Sequence, residues 1–194
     1  MQKPLLVIGV PHELEFAEMV GGYLSRVLKP RQKVSMEFPG RDEELNPAFI
    51  LGPQGQFFQK IGQRILSKGC SVETVEHFGL CVDQDLARHG GNRPEYDSLS
   101  FKRSSEMLRQ ALQNKSHVLI VGYTHACDIE YHAMQLKELG VPVKVKYVLT
   151  KHPFVNNELK TRSAFLRNLP TNLHSFRTGF GVIPIEPKRV RIFH

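Results

Sequence analysis

The chain writes one pattern twice. Leu5, Leu6, Val7 and Ile8 run apolar into Gly9, and three residues further on stands His12; Val118, Leu119, Ile120 and Val121 run into Gly122, and three residues further on stands His125. Each unit leads straight into a helix-periodic stretch. A short, largely β-branched apolar run that stops at glycine is the pattern of a strand covered on both faces, as in parallel sheets. Residues just past the carboxyl ends of such strands converge on one crevice at the sheet edge, where α/β proteins keep their sites. The repeat therefore predicts a parallel sheet with two histidines at a shared edge.

The stretches between carry the same alternation. From Glu13 the residues Leu14, Phe16, Met19, Val20, Tyr23, Leu24, Val27 and Leu28 recur at helical spacing, ended by Pro30. Gly21-Gly22 inside it costs about 1 kcal/mol per glycine against alanine, which close packing on the sheet would justify. Val34, Met36 and Phe38 alternate with Ser35 and Glu37 as a second strand. After a polar loop over 40–55, Phe57, Phe58, Ile61, Ile65 and Leu66 form a helical face with Gly69 at its C-cap, and Cys70–Val75 is a third strand running into Glu76-His77. Arg88–Pro94 reads as a loop long enough to be a lid. Ser98 or Ser100 caps a helix carrying Phe101, Met107, Leu108, Ala111 and Leu112. After the second Gly-x-x-His unit come a helix through Leu139 and a strand over Val143–Leu149. Past residue 150 the alternation ends: one helix over 158–169, then short proline-interrupted strands over 180–185 and 190–193, placed at an edge, with 171–178 unassigned.

The expected fold is therefore α/β, a mostly parallel central sheet flanked by helices, with a short C-terminal appendage of edge strands. Residues 1–150 form the core domain carrying both motifs, and 151–194 pack on it. At 194 residues one domain is expected. No apolar run approaches the ~20 residues of a membrane span, and the first residues show no secretory h-region. Three cysteines without a Cys-x-x-Cys pair fit reduced thiols and a cytoplasmic setting. The net charge of +7 is concentrated at the C-terminal end, where residues 151–194 hold eight Lys/Arg against Glu158 and Glu186. Such a stretch suits either a solvated surface or an anionic partner.

The positions that the topology gathers at the carboxyl edge are His12, Glu37, Glu76 or His77, and His125. Two imidazoles and a carboxylate there suit a divalent metal such as zinc, manganese or iron, which would activate water for hydrolysis. A metal-free version also works: one histidine is the general base on a water, Glu37 orients it, and Arg103 or a backbone N–H stabilises the oxyanion. Arg103, placed near a helix start where a cation is unfavourable, is an anion-binding candidate. Asp83 and Asp85 are potential extra ligands from the irregular loop. Of the remaining histidines, including His117 and His132, most are read as surface residues.

L-L-V-I-G-V-P-H over 5–12, K-V-S-M-E-F over 33–38, F-K-R-S-S-E-M-L-R-Q-A-L over 101–112 and H-V-L-I-V-G-Y-T-H over 117–125 together resemble the TraB/Tiki, ChaN-like and erythromycin-esterase-like superfamily. Its members carry two Gly-x-x-His motifs, a Glu closing the second core strand and an Arg on the helix before the second motif. The resemblance covers roughly residues 5–148. It implies His12, Glu37, Arg103 and His125 as the functional set, in a group that includes metal-dependent peptidases, esterases and haem-associated proteins. Members are often secreted or membrane-linked and longer, which this chain is not expected to share.

Three functions follow as expectations. The first is a hydrolase of an amide or ester in a small-molecule or peptide substrate, with His12, Glu37 and His125 around a divalent metal or an activated water. The second is a non-catalytic protein binding haem or another small cofactor through His12 or His125. The third is an interaction protein whose basic tail meets an anionic partner. Nucleic acid is the least favoured such partner, because few aromatics interleave with the basic residues. The oligomeric state is open.

Overall fold

The structure is a computed structural model, and it describes residues 4–37, 52–75, 93–138, 142–148, 153–168, 175–178 and 181–184. Five strands, β1 (Leu5–Val10), β2 (Lys33–Met36), β3 (Ser71–Thr74), β4 (Val118–Gly122) and β5 (Val143–Tyr147), form one parallel sheet in the order β3-β2-β4-β1-β5. The helices are α1 (Ala17–Val27), α2 (Pro53–Ser67), α3 (Arg93–Gln113), α4 (Tyr123–Glu138) and α5 (Pro153–Arg167).

The two-residue period of the strands divides the core. Ile8, Val10, Val34, Met36, Val118 and Ile120 point to one face and pack against Val20 and Leu24 of α1 and Phe57, Phe58, Ile61 and Ile65 of α2. Leu5, Val7, Leu119 and Val121 point to the other and pack against Met107, Leu108 and Ala111 of α3 and Ala126 and Ile129 of α4. Burying each of these large side chains is worth about 1.5–3 kcal/mol relative to leaving it exposed. The α/β expectation is met, with two helices on each face and α5 packed outside against α4.

This layering positions the site. The central strands β1 and β4 are neighbours, but the chain leaving β1 enters α1 on one face while the chain leaving β4 enters α4 on the other. Where adjacent strands send their connections to opposite faces, a crevice opens beyond their carboxyl ends.

Several details differ from the sequence reading. Helix α3 begins at Arg93, so Arg93 and Pro94 open a helix and Ser98 and Ser100 lie inside it. Proline in the first helical turn loses no hydrogen bond, which is why the loop-like signal misled. In α1, Gly21 lies under the Arg64 side chain of α2 and Gly22 faces open space, so neither mediates contact with the sheet. Helix α5 starts at Pro153, five residues ahead of the expected 158. The tail strands β6 (Ser175–Thr178) and β7 (Gly181–Pro184) pair antiparallel with each other as a separate sheet, and do not extend the main one. Most of the 40–55 loop, Glu76, His77, Asp83, Asp85, residues 88–92 and the strand expected over 190–193 lie outside the described residues. Among the described residues no helix is long and apolar enough to cross a membrane.

Candidate functional site

Parallel pairing brings the ends of β1, β2 and β4 to one edge, and Glu37 is the residue around which that edge is built. Its backbone N–H extends the ladder by one bond, donating to the Ile120 carbonyl at 2.8 Å. Its side chain then reaches back to β4, where Oε2 accepts the Gly122 N–H at 2.7 Å. His125 Nε2 stands 3.2 Å from Oε1, Arg103 Nη2 3.6 Å from Oε1, and His12 Nε2 3.5 Å from Oε2. The four residues proposed from sequence and resemblance are therefore brought together. They come from both faces: His12 from the α1–α2 side, packed 4.7 Å from the Phe58 ring, and His125 and Arg103 from α4 and α3.

The motif glycines have a local reason. A Cβ on Gly122 would lie 2.5 Å from His12 Cε1 and 2.7 Å from its Nε2, so the imidazole occupies the space a side chain would take. A Cβ on Gly9 would lie 2.8 Å from Ala126 Cβ and 2.9 Å from the Tyr147 ring, so the absent side chain lets α4 settle on β1. Tyr123, buried at the β4–α4 junction, donates its hydroxyl to the Val148 carbonyl and fixes where α4 starts.

Burial alone would raise the Glu37 carboxyl. The imidazoles of His125 and His12, the His125 hydrogen bond and the Arg103 guanidinium outweigh it and hold the group well below the usual carboxylate range. Burial lowers His12; Glu37 and Glu13 offset part of this, while His125 and Arg103 add to it, so the ring is held neutral at pH 7. His12 Nε2 has no hydrogen-bond partner. The His12 side chain is also the most open of the four, at 21% exposed against 13% for Arg103, 8% for His125 and 6% for Glu37.

A neutral, partly open imidazole beside a fixed carboxylate and a guanidinium can take a proton from water and stabilise an oxyanion. A metal fits these donors less well. His12 addresses one oxygen of Glu37 and His125 the other, and the Arg103 cation already stands against Oε1. Among the described residues no group of three or more His, Cys, Asp or Glu side chains is arranged to hold a metal ion. The shared metal set of His12, Glu37 and His125 expected from sequence does not form in this arrangement.

The position of Arg103 has a different cause from the one expected. It sits ten residues into α3, away from the dipole at the helix start, and is held by Glu37. His132, read as a surface residue, is 2% exposed and stacks 4.5 Å from the Phe101 ring. His117 is exposed and accepts the Lys33 N–H at Nδ1. Sequence reasoning missed Ser104, Asp128 and Arg162, which stand behind His125. Ser104 Oγ lies 2.8 Å from His125 Nδ1 and 2.7 Å from Asp128 Oδ2, and Asp128 is paired with Arg162. The one available signal was spacing: Asp128 and His132 follow His125 at i+3 and i+7, on one side of an otherwise apolar helix.

No family model, curated protein or solved structure matches the chain significantly.

Proposed function

We propose that this protein hydrolyses an amide or ester bond in a small-molecule or peptide substrate, using a water held between His12 Nε2 and the Glu37 carboxylate. The observation that carries the reading is the partnerless His12 Nε2, 3.5 Å from a carboxylate pinned by the Gly122 N–H, His125 and Arg103. His12 takes the proton as the water oxygen attacks the carbonyl carbon. Glu37 orients the water and stabilises the imidazolium that forms. Arg103 faces the charge developing on the carbonyl oxygen. The proton then passes from His12 to the departing amine or alcohol as the C–N or C–O bond breaks. Such general acid–base catalysis contributes a factor of about 10²–10⁴. The resemblance to the TraB/Tiki, ChaN-like and erythromycin-esterase-like superfamily supports the same four residues.

The test uses the untagged full chain against a panel of chromogenic esters and peptide amides. Turnover by the wild type, insensitive to chelator and lowered about 10²-fold or more in His12→Gln, is the expected result. Activity retained in a double His12→Gln, His125→Gln variant overturns the proposal. Activity lost to chelator and restored by zinc, manganese or iron moves the water-activating role from His12 to a metal. A Soret band on adding haem, absent in His12→Gln and without turnover by the wild type, establishes the cofactor-binding alternative.

A further inference from the structure

Behind His125 the structure carries a buried polar chain that reaches the C-terminal segment. Arg162 of α5 donates Nε to Asp128 Oδ1 and Nη2 to Asp128 Oδ2, both at 2.7 Å, a bidentate pair. Its Nη1 donates to Asp97 Oδ1 at 2.8 Å and its Nη2 to the Asp97 carbonyl at 3.0 Å. The Phe165 ring lies under the guanidinium, 4.2 Å from its centroid. Arg162 is 3% exposed, and the Asp128 and Ser104 beyond it are fully buried. A bidentate pair with a guanidinium keeps Asp128 ionised, so both its oxygens can only accept.

Ser104 has one hydroxyl proton and three neighbours: Asp128 Oδ2 at 2.7 Å, the Ser100 carbonyl at 2.8 Å and His125 Nδ1 at 2.8 Å. The first two are pure acceptors. If the proton went to Nδ1, a carboxylate oxygen would face the serine lone pairs at hydrogen-bond distance with nothing between them. The arrangement is satisfied when Ser104 donates to an oxygen and His125 Nδ1–H donates to Ser104.

We infer that Ser104, Asp128 and Arg162 are positioning residues that lock His125 with a proton on Nδ1, so that Nε2 is the nitrogen presented to Glu37 and the site. The catalytic significance of this lock rests on the function proposed above; the lock itself does not. It makes α5, from the segment expected to be an appendage, part of the site's supporting structure. A fixed tautomer matters because an imidazole with the wrong nitrogen protonated has correct geometry and little activity.

The experiment is side-chain ¹⁵N NMR on the uniformly labelled full chain, with His125 assigned through His125→Gln. In the wild type, Nδ1 is expected to be protonated. In Ser104→Ala, whose fold is checked by backbone amide dispersion, His125 is expected to shift toward the Nε2–H form. In Arg162→Lys, which keeps the charge but loses the fork, a smaller shift in the same direction is expected. A pyridine-like Nδ1 in the wild type, or an unchanged Nδ1 in folded Ser104→Ala, overturns the inference. Where hydrolysis is observed, Ser104→Ala is expected to lower kcat about 10-fold or more with KM little changed. Loss of activity with an unchanged tautomer overturns the positioning role. A locked tautomer in a protein without hydrolytic activity leaves this inference standing and removes the hydrolase reading.

Discussion

The space above Gly122 belongs to His12, and this makes one glycine answerable for the histidine's position. In Gly122→Ala the new Cβ starts 2.5 Å from His12 Cε1, so the imidazole must leave its seat between β4 and Phe58. Overpacking of this kind costs about 1–3 kcal/mol. The expected outcome is a lowered urea midpoint together with hydrolysis reduced as far as in His12→Gln; full activity in the alanine variant would show that His12 tolerates displacement. His132 gives the second residue-scale prediction. Burial pushes its pKa down to about 4, with Asp128 and the hydrogen bond to the Phe101 backbone offsetting part of the effect and Arg162 adding to it. The unfolded chain binds that proton near the ordinary value of 6.5, so between there and about 4 the unfolded state holds more protons. Stability from this group is complete above about pH 6.5 and is lost as pH falls toward 4, by up to about 3 kcal/mol. Denaturation of wild type and His132→Gln at both ends of this window should show the smaller loss in the variant; parallel losses would refute it.

At the scale of elements, the attachment of α5 is electrostatic as well as apolar. Leu159 and Leu166 are buried beside Arg162, but Arg162 alone answers two buried carboxylates from two helices. Replacing it with methionine keeps the packing volume and leaves Asp128 without a partner in a fully buried position. Breaking such a pair costs about 3–5 kcal/mol, more than a surface ion pair of the same geometry would lose. Equilibrium unfolding of Arg162→Met should show a loss in that range, and a change below about 1 kcal/mol would mean the cluster is hydrated. The elements also explain what could be read in advance. The strands of the sheet were legible because buried parallel strands write continuous β-branched runs, and the shared edge of His12, Glu37 and His125 followed from parallel pairing. The start of α3 was hidden by Gly91, Asn92 and Pro94, whose loop signal outweighed a helix that opens on its proline. Ser104, Asp128 and Arg162 were hidden for another reason: their bonds join residues 24 and 34 apart, and a buried arginine is written in the same letter as a solvated one. The tail's positive charge drew attention to a surface, while one of its arginines was already spent inside.

For the whole molecule, the decisive arrangement is that a single carboxylate is gripped from both helical layers across the end of the sheet. His12 belongs to the layer of α1 and α2, His125 and Arg103 to the layer of α3 and α4, and Glu37 to the strand between. The chain reaches these four positions at residues 12, 37, 103 and 125, so no contiguous segment contains the site. This has a kinetic corollary. A sheet with one layer docked already holds its strands in order, yet such a half-assembled species has only half the grip on Glu37. Competence is therefore acquired at the last step of assembly, when the second layer closes. During refolding, far-ultraviolet ellipticity reports the sheet and helices early, whereas the site reports the completed sandwich.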